Sequence, residues 1–192
     1  QLENILTGKA SNWRSVNPAS KLGEIDLVFD HARSGVISFL RDSLLGGQAL
    51  RKDQIYAQKN TPDVISYVAS HPQAVGFVGW SWLSDVDNPQ VKAWRKQVRV
   101  LWLERPAEAP ECAYDAAFFG PYQSFLVQQC YPLTRVVFTQ LREPTMGLGT
   151  GFVSFLDGNI GQRATHKAGM AATHAIPRRV GFPRLDRAKP IQ

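Results

Sequence analysis

The sequence predicts an α/β fold with a largely parallel, helix-covered sheet. Three observations carry that reading. Short apolar runs of strand character recur along the chain, stretches with helical spacing separate them, and glycine or proline punctuates the joints. The 192 residues are 44% hydrophobic and 20% charged, enough apolar material for a packed core in one domain or one and a half. That composition excludes global disorder. No run approaches the ~20 apolar residues of a membrane-crossing helix.

Taken in order, Leu2, Ile5 and Leu6 carry helical spacing from the first residues, and Gly8 stands where a helix ends. With no initiating Met and no signal peptide, a chain that opens inside a helix reads as a piece of something longer. Residues 12–23 read as a loop anchored by Trp13. Ile25, Leu27, Val28 and Phe29 form a strand, and residues 30–33 a turn. Ser34 caps a helix whose inner positions are Ile37, Leu40 and Leu44, stopped by Gly46 and Gly47. Thr61 caps a second helix with Pro62 at its first position, its inner face Val64, Ile65 and Val68.

Residues 74–78 form a strand broken at Gly76 and Gly79. Residues 98–103, nearly unbroken in apolar character, predict a strand buried on both faces. The stretch 104–111 is an exposed loop with three Glu and two Pro. Residues 122–129 read as a helix, 135–141 as a further strand, and 147–151 as a flexible glycine loop. Ile160, Ala164 and Ala168 mark a helix ending at Gly169.

The net charge of +6 is unevenly placed. Residues 1–162 carry 15 basic and 15 acidic side chains, whereas residues 163–192 carry seven basic against Asp186 alone. Such a tail can bind an anionic partner. Three prolines break up the charges, so a solvated terminal segment is the plainer reading, and no nucleic-acid partner is expected.

Among chemistry-bearing patterns, the strand–turn–helix at residues 29–38 stands out. A helix start leaves backbone N–H groups unpaired and adds a positive dipole end. Ser34 adds a hydroxyl, Gly35 allows close approach, and Arg33 adds a full charge. The structural alternative is simple capping. Ser34 lacks a Gly-x-Ser-x-Gly elbow, and His31 being near in sequence does not make it a base. The four histidines and two cysteines show no metal-ligand spacing. Gly147–Gly151 lacks the Gly-Lys-Ser/Thr of a phosphate loop. Trp80, Trp82, Trp94 and Trp102 fit core or interface packing. Cys112 and Cys130 are close enough in sequence to pair in an oxidising compartment.

An ordered set of motifs resembles the phosphate-binding proteins of ABC phosphate transporters. It comprises residues 5–9 with Asn12-Trp13, Val28-Phe29-Asp30 with Ser34-Gly35, the segment 60–68, and Ala74–Gly79. Tyr131–Arg135, Gly147–Phe152, Gly161–Arg163 and Lys167–Gly169 complete it. The resemblance covers roughly residues 1–180. It implies a periplasmic-binding-protein-like lobe with a helix-covered mixed sheet, plus a hinge-crossing C-terminal segment. Residues 1–130 would be the second lobe, and residues 131–192 a hinge-crossing segment and basic tail that complete a first lobe lying outside this sequence.

The family's role is extracytoplasmic: an oxyanion, phosphate first, is held without catalysis or cofactor and passed to a membrane permease. The implied ligand residues are Ser34, Gly35, Val36, Arg33 and Asp30, the last accepting a proton from a protonated oxyanion. The family's usual Ser-Gly-Thr is here Ser34-Gly35-Val36, and Asp30 and Ala32 stand where many members carry Arg and an acid. The alternative is a sensor or binding module of the same fold with another ligand or none. A chain lacking its first lobe would also expose apolar surface and self-associate.

Overall fold

Strand β1, Asp26–Phe29, is buried at all four positions, and the rest of the fold is arranged around it. The computed structural model describes residues 1–109 and 112–172. β1 is the centre of a three-stranded parallel sheet, flanked by β2 (Ile55–Ala57) and β3 (Ala74–Gly76) in the order β2-β1-β3. Leu27 pairs with Ile55 on one side and with Val75 on the other. A strand buried on both faces needs apolar side chains on both, and Leu27-Val28-Phe29 supplies them.

One face is covered by helix α1 (Leu2–Thr7) and helix α3 (Gly35–Phe39), which runs on into a π-helical turn at Leu40–Leu44. Ile5, Leu6, Leu27, Phe29, Leu40 and Phe77 share this core. The Phe29 and Phe77 rings stack at 5.0 Å. Each large apolar side chain buried here is worth about 1.5–3 kcal/mol. Gly8 ends α1 at φ 83°, and Gly46 and Gly47 end the π-helical turn at positive φ, the positions expected for them. The short helix α2 (Trp13–Val16) presents Trp13 as the expected anchor: its indole N–H donates to the Gln73 carbonyl at 2.8 Å.

The other face is covered by helix α4 (Thr61–Ser70), through Val64 and Ile65. Its cap is Asn60 rather than Thr61: the Asn60 side chain accepts from the Asp63 N–H at 2.9 Å, leaving Thr61 and Pro62 inside the first turn. The α4 helix lies so close to β3 that a Cβ at Gly76 would sit 2.7 Å from Val68 Cγ2 and 2.9 Å from Val64 Cγ1. Arg51 crosses beneath the sheet edge, nearly fully buried, its guanidinium donating to the Ile25 carbonyl and its backbone N–H to Leu6.

Beyond β3 come α5 (Ser81–Ser84) and α6 (Pro89–Gln97). The strand expected at 98–103 is not formed. Only β4 (Leu103–Glu104) pairs, antiparallel, with β5 (Phe118–Phe119), so the antiparallel pairing sits in a separate two-stranded sheet. Leu101 and Trp102 are exposed, so the second covered face that an all-apolar strand requires is missing. The hairpin and α7 (Gln123–Val127) are held by ring contacts among Tyr114, Phe119, Tyr122 and Phe125, edge-to-face except for the tilted Tyr114–Phe119 pair. The Cys112–Cys130 disulfide, offered by the sequence as a possibility, closes this unit.

Residues 135–141, also expected as a strand, run without strand pairing among the described residues, and Phe138 is 80% exposed. The glycine stretch 147–151 is not a loop but the start of α8 (Leu148–Asp157). The Glu143 carboxylate makes that possible by accepting from the N–H groups of Gly149 and Thr150, at 2.8 and 2.9 Å. Helix α9 (Asn159–Lys167) follows, and Gly169 turns the chain at φ 82°. The basic tail beyond residue 172, with five of its seven cations, lies outside the described residues, as does His174.

Candidate functional site

In an open parallel sheet, ligands bind beyond the carboxyl ends of the strands, where successive connections depart in opposite directions. Here that place is the end of β1. The path from β1 through α3 leads to β2 on one side, and the path from β2 through α4 leads to β3 on the other. The turn after β1 carries Asp30, Arg33 and Ser34, and the α3 helix begins at Gly35.

Ser34 is 1% exposed and takes the extended conformation of an N-cap, φ −60° and ψ 134°. Its Oγ accepts from the Val36 N–H at 3.2 Å. A hydroxyl that accepts still has its own proton to donate, so Ser34 keeps one donor for a ligand oxygen. The Ser34 N–H is spent on the His31 carbonyl at 3.1 Å, and the Ile37 N–H on the Ser34 carbonyl at 3.0 Å. Of the three donors expected from Ser34, Gly35 and Val36, the Val36 N–H is therefore committed to the cap. The Ser34 hydroxyl and the Gly35 N–H are the two that can turn to a ligand.

Arg33 and Asp30 are placed in the turn but not aimed at the helix start by any bond. The Asp30 carboxylate accepts from the adjacent His31 N–H at 3.1 Å, which tightens the turn. Arg33 is exposed, and its backbone N–H donates to His31 Nδ1 at 3.2 Å. A charge is brought to the helix start by Arg135, the last residue of the Tyr131–Arg135 motif. A Cβ at Gly35 would lie 3.4 Å from an Arg135 guanidinium nitrogen. Arg135 has no ion-pair partner among the described residues. A guanidinium beside the positive end of a helix is unfavourable unless an anion joins them. The Tyr131–Arg135 motif was legible as a motif, and its cation was the available signal.

The chain leading to Arg135 is fixed before it arrives. Leu133 packs against the main core, and Tyr131 is buried enough that its phenol is pushed up to about 12. No cluster of metal-ligating side chains is found among the described residues.

A family model described as a PBP superfamily domain matches residues 1–158. Among solved structures, the chain is similar to PstS from Borrelia burgdorferi, with 19% identity and a TM-score of 0.56 over 89% of this chain and 61% of that one. It is equally similar to a Clostridium perfringens protein assigned as a phosphate ABC transporter substrate-binding protein, whose structure contains bound phosphate. There the identity is 15% and the TM-score 0.56, over 90% of this chain and 60% of that one. The chain thus spans about three-fifths of the length of these neighbours. No curated protein matches it.

Proposed function

The chain belongs to the PBP superfamily, and we propose that it is the second lobe and hinge-crossing segment of an extracytoplasmic solute-binding protein for phosphate or a similar oxyanion. The observation that carries this reading is the meeting of Ser34, Gly35 and Arg135 at the carboxyl end of the central strand. A hydroxyl, a free backbone N–H and a guanidinium are the groups that satisfy a tetrahedral oxyanion. Likeness to phosphate-type transport proteins over nearly the whole chain supports the same ligand class.

Residues 1–130 are read as the lobe and residues 131–192 as the crossing segment. After Leu133 leaves the core, Val136, Val137, Phe138, Leu148, Phe152 and Ile160 are all exposed. Exposed apolar side chains in that number fit a covering lobe outside this sequence. The same side chains would draw two copies of the isolated chain together. In this reading the site performs no chemistry: it holds the anion until a membrane permease of the ABC type accepts it.

Asp30 fits a discriminating role. Asp30 stands in the same turn, four residues before Ser34, and a carboxylate that reaches the bound anion accepts a hydrogen bond from one that still carries a proton and repels one that does not. Phosphate carries such a proton near neutral pH and sulfate does not. Equilibrium dialysis of the two-lobed protein against labelled phosphate tests the reading. Saturable binding that excess sulfate fails to displace supports it, and Asp30→Asn should then let sulfate compete. Absence of saturable phosphate binding overturns it.

A further inference from the structure

Away from the α3 start, two cavities of about 400 and 460 Å³ open beside α6, the first against residues 98–102 and Tyr122, the second against α7 and the end of α9. Arg95 and Tyr122 line both, so the two adjoin at those side chains and together make the groove considered below. Arg99 and Trp102 line the first, Trp80 and Lys167 the second. No carboxylate lines either, and none of the three cations is ion-paired among the described residues. The floor is aromatic: Tyr122 meets Trp80 at 5.4 Å and Trp102 at 6.3 Å, edge-on in both cases. Trp102 remains 53% exposed.

We propose that this groove docks an acidic, extended segment of a protein partner. The charges are spread along the groove, Arg99 in one cavity, Lys167 in the other and Arg95 in both, which suits several anionic side chains in series rather than a single small anion. Unpaired cations facing a carboxylate-free wall supply the electrostatic complement that steers such a partner. Trp, Tyr and Arg are also the side chains that dominate binding energy at protein interfaces. A single-stranded nucleic acid fits less well. Successive bases need open ring faces, but here the rings meet edge-on, and the Arg95 guanidinium already lies over Trp80 at 5.8 Å.

The groove is separate from the proposed oxyanion site and does not depend on it. Titration of the whole chain with an acetylated glutamate–leucine repeat peptide, read by tryptophan fluorescence, tests the proposal. The acidic peptide should bind saturably, and its glutamine–leucine counterpart should not. Arg95→Gln should weaken binding by roughly tenfold. Lys167→Glu, on the exposed side of α9, should weaken it as well with an unchanged circular dichroism spectrum. Equal affinity for the neutral peptide, wild-type affinity in both variants, or tighter binding of oligothymidylate would each overturn it.

Discussion

Replacing Ser34 by alanine removes two things at once, and a second variant separates them. The Ser34 Oγ caps α3 through the Val36 N–H, so its loss leaves a helix-start donor without its side-chain partner. The usual cost of an N-cap loss is about 1 kcal/mol. Glycine at an N-cap costs only a few tenths of a kcal/mol, because water and a relaxed backbone recover part of the cap. Ser34→Ala should therefore lower the unfolding free energy by about 1 kcal/mol in urea, and Ser34→Gly by much less. Both variants lack the hydroxyl proton offered to a ligand. A charge-assisted hydrogen bond is worth about 1.5–3 kcal/mol, so both should bind phosphate roughly ten- to a hundredfold more weakly by calorimetry on the two-lobed protein. Stability that falls in the alanine variant, with phosphate affinity intact in both, would make Ser34 a cap and nothing more.

Three further outcomes test the scaffold around the site. Gly76→Ala forces a Cβ against Val64 and Val68, so it should destabilise by about 1–3 kcal/mol, and a Val68→Ala background should recover part of the loss in the same denaturation assay. Reduction of Cys112–Cys130 should remove roughly 3 kcal/mol, since the bond closes a loop with a sequence separation of 18, seen as a lower urea midpoint with reductant. Glu143 is held below its ordinary value of 4.5 by the N–H groups of Gly149 and Thr150. A lowered carboxylate contributes fully above that ordinary value and loses its contribution as pH falls through the lowered folded-state value. Amide protection at Gly149 and Thr150, taken as exchange relative to the intrinsic rate at each pH, should therefore fall on acidification below pH 4.5, and Glu143→Gln should remove that fall.

What the sequence made legible was local. The run Leu27-Val28-Phe29, the cap at Ser34 and the stop at Gly8 each declare themselves within a few residues, and the central sheet, its coverings and the start of α3 follow from them. Strand β2 was not seen, because three residues with Tyr56 exposed carry no apolar pattern and exist only by pairing with β1. The opposite error occurred at 98–103 and 135–141, where apolar runs read as strands. A strand also needs a partner edge, and among the described residues those segments largely lack one. The glycines of 147–151 hid a helix start, because the group that caps it, Glu143, precedes the first helical residue by several positions. Arg135 escaped attention for a related reason. Its approach to Gly35 depends on the path of the chain past the core, which no local pattern encodes.

In the proposed reading an oxyanion rests at the start of α3, held between the lobe and its crossing segment. The most direct measurement is a crystal structure of the two-lobed protein grown with phosphate. Phosphate oxygens should lie within hydrogen-bond distance of the Ser34 hydroxyl and the Gly35 N–H, with the Arg135 guanidinium in contact with the same anion. Phosphate bound elsewhere, with Ser34 and Arg135 touching no ligand, would contradict it.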